Sequence, residues 1–185
     1  ISTLYYKDRM LENGLWAVGA LAVGIGVFPM IAGLAALVRP RGEAWTQERR
    51  AVIATMGSLI VGFGWYTAVK AAYISTTFST LVVERNLIYV APLLFIGTAM
   101  FFERPLVRWW AVVGATALTL TALLAAYQYK MDVRVYSDAP GFSLLQAANR
   151  AYAWTPERAR HVLVGMLVLS LVVIALPRVL TRGVR

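Results

Sequence analysis

Apolar residues along this chain are gathered into long runs, each closed by charged or aromatic residues. Crossing about 30 Å of hydrocarbon as a helix takes roughly 20 apolar residues, and five runs approach that length. The first extends from Gly14 to Val38 and carries Pro29, which predicts a kink. The second, Ala51 to Tyr73, holds Gly57, Ser58, Gly62 and Gly64, small residues expected to let another helix come close. The third, Leu87 to Phe102, is short and contains Pro92, so it is expected to be tilted or broken. The fourth, Trp109 to Tyr129, opens on Trp109-Trp110 and closes on Tyr127 and Tyr129, as interfacial aromatic belts do. The fifth runs from His161 to Leu180. The pattern predicts an all-α, polytopic membrane bundle of about five transmembrane helices in a single domain, residues 1–185.

Residues 130–160 form a connection too long for a hairpin and too apolar for a plain linker. Ser143 to Gln146 fits a capping box, and 142–154 reads as one short amphipathic helix expected to lie flat on the outer bilayer surface. Thr155-Pro156-Glu157 supplies an N-cap, a proline for the first helical position and an acid for the first turn, announcing the last helix.

The composition sharpens the class. With 59% hydrophobic and 15% charged residues and a mean hydropathy of +0.65, the chain departs from soluble domains. No cysteine and one histidine leave no thiolate or histidine cluster, so redox, zinc and haem roles are poorly supported and no metal site is expected. The net charge of +9 comes from basic residues between the apolar runs, which makes membrane lipids with anionic headgroups, not nucleic acid, the expected partner. The basic residues divide nine to nine, with Arg39, Arg41, Arg49, Arg50, Arg104, Arg108, Arg178, Arg182 and Arg185 on one side and Lys7, Arg9, Lys70, Arg85, Lys130, Arg134, Arg150, Arg158 and Arg160 on the other; five of the second set lie in the long loop, which weighs less, so the first side and the C-terminus are expected in the cytoplasm. The loops at 74–86 and 130–160 then face outward. The start at Ile1 reads as internal to a longer chain.

The sharpest candidate for chemistry is the entry to the third run. Glu84, Arg85 and Asn86 approach hydrocarbon together with Tyr89, and ionisable groups there are costly unless paired or wet. Arg85 can grip a phosphate with two parallel hydrogen bonds, and Lys70, near the end of the second run, could add a second charge. The alternative is an interfacial Glu84–Arg85 pair with Asn86 capping Leu87 and Lys70 snorkelling to headgroups. Asp8 and Glu12, flanked by Lys7 and Arg9, read as a solvated helix face. Tyr136, Asp138, Asn149 and Trp154 could meet a sugar, but serve equally as loop caps and headgroup anchors, and His161 reads as an interfacial polar residue.

The string from Glu84 to Phe95, with Asp138-Ala139-Pro140 following a further span, resembles the C-terminal half of bacterial multi-span glycosyltransferases of the GT-C superfamily, over roughly residues 50–180. The resemblance implies a transferase of the bacterial cytoplasmic (inner) membrane that moves a sugar from a polyprenyl-phosphate carrier to an extracytoplasmic acceptor. Arg85, Lys70, Glu84, Asn86 and Tyr89 would then hold the lipid phosphate. No cofactor is called for beyond the lipid-linked sugar donor. The catalytic acid of that superfamily lies in an early outward loop, usually in an acidic pair, and no two carboxylates adjoin here. The resemblance therefore implies a catalytic group upstream of Ile1. Two other readings remain open. One is a noncatalytic integral membrane subunit or anchor that packs against other membrane subunits. The other, a transporter component, is disfavoured because five spans do not divide into matched repeats and no ionisable group sits in mid-span.

Overall fold

The computed structural model describes residues 3–38, 46–77, 82–103, 108–128 and 139–182. Among these the protein is entirely helical: α1 (Thr3–Ile25), α2 (Val27–Ala36), α3 (Gln47–Thr77), α4 (Ala91–Glu103), α5 (Trp109–Gln128), α6 (Pro140–Tyr152) and α7 (Pro156–Arg182), with two 3-10 turns, Glu84–Asn86 and Ile88–Val90, leading into α4. Three stretches are long and apolar enough to cross a membrane: Gln47–Ser75, Glu84–Glu103 and Glu157–Leu176. A shorter apolar helix, Trp109–Ala125, and the bent pair α1–α2 complete the apolar set.

The first run is not one kinked helix. α1 and α2 meet at Gly26 with a bend of 109°. Pro29 has no N–H to donate to the Ile25 carbonyl and its ring crowds that oxygen, so the first helix stops at Ile25. Gly26 makes the corner at φ 97°, and Pro29 sits in the first turn of α2, where its missing donor costs nothing. The polar residues before Gly14 also belong to α1, whose Asp8 and Glu12 are exposed.

α1 packs on α3, α5 and α6, whereas α2 packs on α4, α5 and α7. The core is made of small and branched apolar residues, including Ala17, Ala20 and Leu21 of α1, Ile31 and Ala32 of α2, Leu94 of α4, Val112 of α5 and Leu163 of α7. α2 and α4 touch backbone to backbone: a Cβ on Gly97 would lie 2.8 Å from the Gly33 carbonyl oxygen. Thr98 Oγ1 donates to the Leu94 and Pro29 carbonyl oxygens at 2.7 and 3.2 Å across the same crossing. α1 is tied to α3 by polar contacts that composition does not reveal, with Asn13 Nδ2 donating to Ser75 Oγ at 3.3 Å and Tyr6 Oη to the Val69 carbonyl at 3.2 Å.

The small residues expected to bring α3 close to another helix do not do so among the described residues. Nothing lies within 4 Å of a Cβ built on Gly57, Gly62 or Gly64. α3 meets α1 through its later residues, where Ala71 and Ala72 are buried and Ala68 faces Gly14, which leaves Gly57, Gly62 and Gly64 uncovered by the described residues.

The start of α7 follows the sequence reading: Thr155 Oγ1 accepts the Arg158 N–H at 3.3 Å and Pro156 takes the first helical position. The start of α6 does not. The helix begins at Pro140, before the Ser143 to Gln146 box, and its N-cap Ala139 has no side chain to offer. Ser143 instead donates to the Ala139 carbonyl at 3.3 Å, and Gln146 is buried.

Candidate functional site

Val82 and Val83 are buried, and they anchor the chain as it enters the first 3-10 turn. Three residues complete each 3-10 turn, so side chains three apart share a face. Glu84, Leu87 and Val90 are accordingly all buried, while Arg85 and Ile88 are exposed on a second face. Asn86 and Tyr89 share the third face, with Tyr89 68% exposed. Neighbours in sequence are thus sent to opposite sides of the element.

Glu84 turns inward and is 1% exposed. Its Oε2 accepts the Gly141 N–H at 2.7 Å, which supplies the cap that α6 lacks locally. Two glycines make room. A methyl on Gly141 would collide with the Ala20 carbonyl oxygen, and one on Gly24 would lie 3.0 Å from Glu84 Oε1. The carboxylate that the sequence offered to the lipid-phosphate site, or alternatively to an interfacial pair with Arg85, is engaged at the junction of α1, α6 and the first 3-10 turn.

The outward side is built with α3. Phe63, Tyr66 and Lys70 recur at helical spacing on one face, and the Phe63 ring meets Tyr89 at 6.0 Å between centroids. The Lys70 ammonium stands 5.5 Å over the Tyr66 ring. Lys70 lies about 10 Å along α3 from Phe63, and Arg85 about 8 Å back along the 3-10 turns from Tyr89. Lys70 thus shares the α3 face that meets Tyr89, whereas Arg85 is exposed on the neighbouring face of the 3-10 turns, which both contact α3. Asn86 does not cap Leu87, whose N–H goes to the Glu84 carbonyl at 2.7 Å; its Nδ2 is buried without a hydrogen-bond partner. Phe63 and Tyr66 escaped the sequence reading, although their spacing to Lys70 carried the signal.

The remaining candidates are dispersed. Trp154 is half-buried and stacks on Tyr152 at 6.0 Å, Asn149 is half-buried on α6 and His161 is exposed on α7. Tyr136 and Asp138 lie outside the described residues. No group of three His, Cys, Asp or Glu side chains suited to a metal occurs among the described residues. No protein-family profile, curated protein or solved structure matches the chain.

Proposed function

We propose that this chain is the membrane-embedded part of a glycosyltransferase that takes a sugar from a polyprenyl-phosphate carrier and passes it to an acceptor outside the bacterial cytoplasmic membrane, with its C-terminus in the cytoplasm. One observation carries the reading: at the head of an apolar helix Glu84 is turned into the protein while Arg85 is exposed on a 3-10 turn that packs against α3, the helix whose Phe63, Tyr66 and Lys70 face Tyr89 of the following turn. A guanidinium at that depth matches a phosphate whose lipid tail lies in the bilayer and whose sugar lies in water. Tyr89 and Phe63 offer apolar area to the first isoprene units.

The test is transfer from a polyprenyl-phosphate sugar by the full-length protein in membranes. Arg85→Lys keeps the charge but loses the fork, so both it and Arg85→Ala are expected to cut transfer while leaving expression and thermal stability near wild type. Transfer that survives both substitutions overturns the reading, as does failure of both proteins to fold.

A second reading, a noncatalytic subunit, is favoured by Gly57 and Gly64, two turns apart on one side of α3 with open space above both. It predicts co-purification of another membrane protein that is lost in Gly64→Leu.

A further inference from the structure

Thr67 of α3 is fully buried, and its Oγ1 has no hydrogen-bond partner among the described residues. Thr98, Thr119 and Thr121 each donate to the carbonyl four residues back, which Thr67 does not. What Thr67 faces follows from the direction of the chain. α3 ends about 21 Å beyond Phe63, yet Tyr89 meets the Phe63 ring, so the 3-10 turns run back along α3. One helical turn on from Phe63 is Thr67, and one 3-10 turn back from Tyr89 is Asn86, each step about 6 Å. The two residues therefore stand at one level on facing sides of their elements, one turn from the ring pair. Asn86 Nδ2 is the second atom buried there without a partner.

On the reading of this surface as the carrier's, we infer that Thr67 and Asn86 are a pair of donors for one anionic oxygen of a prenyl phosphate, which reaches them as α3 and the 3-10 turns part. A hydroxyl proton and an amide N–H without acceptors call for an acceptor atom. The Lys70 ammonium, one turn further along the same side of α3, favours an anionic one. Buried donors left unpaired cost free energy, and an acceptor that arrives with the ligand recovers it. The way in is set by how α3 is held. Hydrogen bonds tie α3 to α1 at Val69 and Ser75, both beyond Thr67, whereas before Thr67 stands Phe63 against Tyr89, which is largely exposed. Movement of α3 about its tied end separates those two rings and opens the way to both donors.

Binding of farnesyl phosphate by the full-length protein in neutral detergent, with farnesol as the same tail without phosphate, tests the pair. The wild type is expected to prefer the phosphate. Thr67→Val keeps the shape and removes the hydroxyl, so it should raise the unfolding temperature of the free protein yet weaken farnesyl phosphate about tenfold, the loss of one hydrogen bond to a charged group, with farnesol unchanged. Asn86→Leu should do the same, and Thr67→Ser should retain binding. Thr116→Val removes another unpartnered buried hydroxyl, on α5, and should leave both ligands unaffected. A wild type indifferent to the phosphate refutes the carrier reading and the pair together; a selective wild type whose Thr67→Val variant binds equally well overturns the pair alone. A lower unfolding temperature in Thr67→Val also overturns it, since the hydroxyl would then already have a partner, such as a buried water. Displacement of farnesyl phosphate by equimolar inorganic phosphate would make this a site for the free ion and overturn the lipid. If Thr67→Val does not fold, Asn86→Leu decides on the same two readouts.

Discussion

Glu84 caps a helix that begins 56 residues after it, its carboxylate oxygen 2.7 Å from the Gly141 amide nitrogen. The bond fastens α6 to the turn that presents Arg85, so the outer connection and the candidate lipid-phosphate surface are parts of one assembly. Glu84→Ala leaves the Gly141 N–H buried without its acceptor, a cost of about 1 to 3 kcal/mol. Glu84→Gln keeps a side-chain oxygen and should be milder. Hydrogen exchange across 140–152 should rise in the alanine variant ahead of exchange elsewhere; equal protection in all three proteins would remove this role from Glu84.

Glycines on different helices should respond oppositely to alanine. Gly141→Ala forces α6 away from the Ala20 carbonyl and should cost at least about 1 to 3 kcal/mol. Gly57→Ala has open space and a better helix former, so it should be neutral or stabilising by up to about 1 kcal/mol. Thermal unfolding in detergent ranks them. Strong destabilisation by Gly57→Ala would mean that something outside this chain packs on α3.

Gly26→Ala puts a side chain at φ 97°, ψ 142°, a region that glycine alone occupies comfortably. The expected loss is about 1 to 3 kcal/mol, read from denaturant unfolding. A wild-type midpoint would contradict the corner.

Because the chain has no cysteine, single cysteines can map the 3-10 turns directly. Maleimide labelling of the detergent-solubilised protein should be fast for Arg85→Cys and Tyr89→Cys, and slow for Glu84→Cys, Leu87→Cys and Val90→Cys. Labelling that instead follows a period of 3.6 residues would replace the 3-10 turns with a continuous α-helix.

Where one residue dictates local geometry, the sequence was a sufficient guide: Pro29 and Pro92 mark breaks, and Thr155-Pro156 marks the start of α7. Site geometry was harder, because neighbouring carboxyl and guanidinium groups at a helix entry look like a pair until Gly141 is folded against Glu84. Small residues are equally ambiguous. Gly57, Gly62 and Gly64 form the denser glycine cluster, yet close approach occurs at Gly24, Gly33, Gly97 and Gly141, since which helices meet is decided by the whole bundle. Asn13 was passed over because a lone amide at the edge of an apolar run has no partner in view until Ser75 is folded against it.

The corner at Gly26 also governs the order in which the protein can be assembled. α2 has 10 residues and is about 15 Å long, half of what a lipid-exposed helix needs to cross the bilayer by itself. The helices that cover it most, α4, α5 and α7, all follow it in the chain, so α2 emerges from the ribosome before those three exist. Its polar ends are shielded by protein only once those later helices have been inserted. α2 therefore enters the bundle as a late tenant of a cavity made by its successors, and a nascent chain halted before α4 should leave this segment accessible to proteases or crosslinkers that cannot reach it in the finished protein.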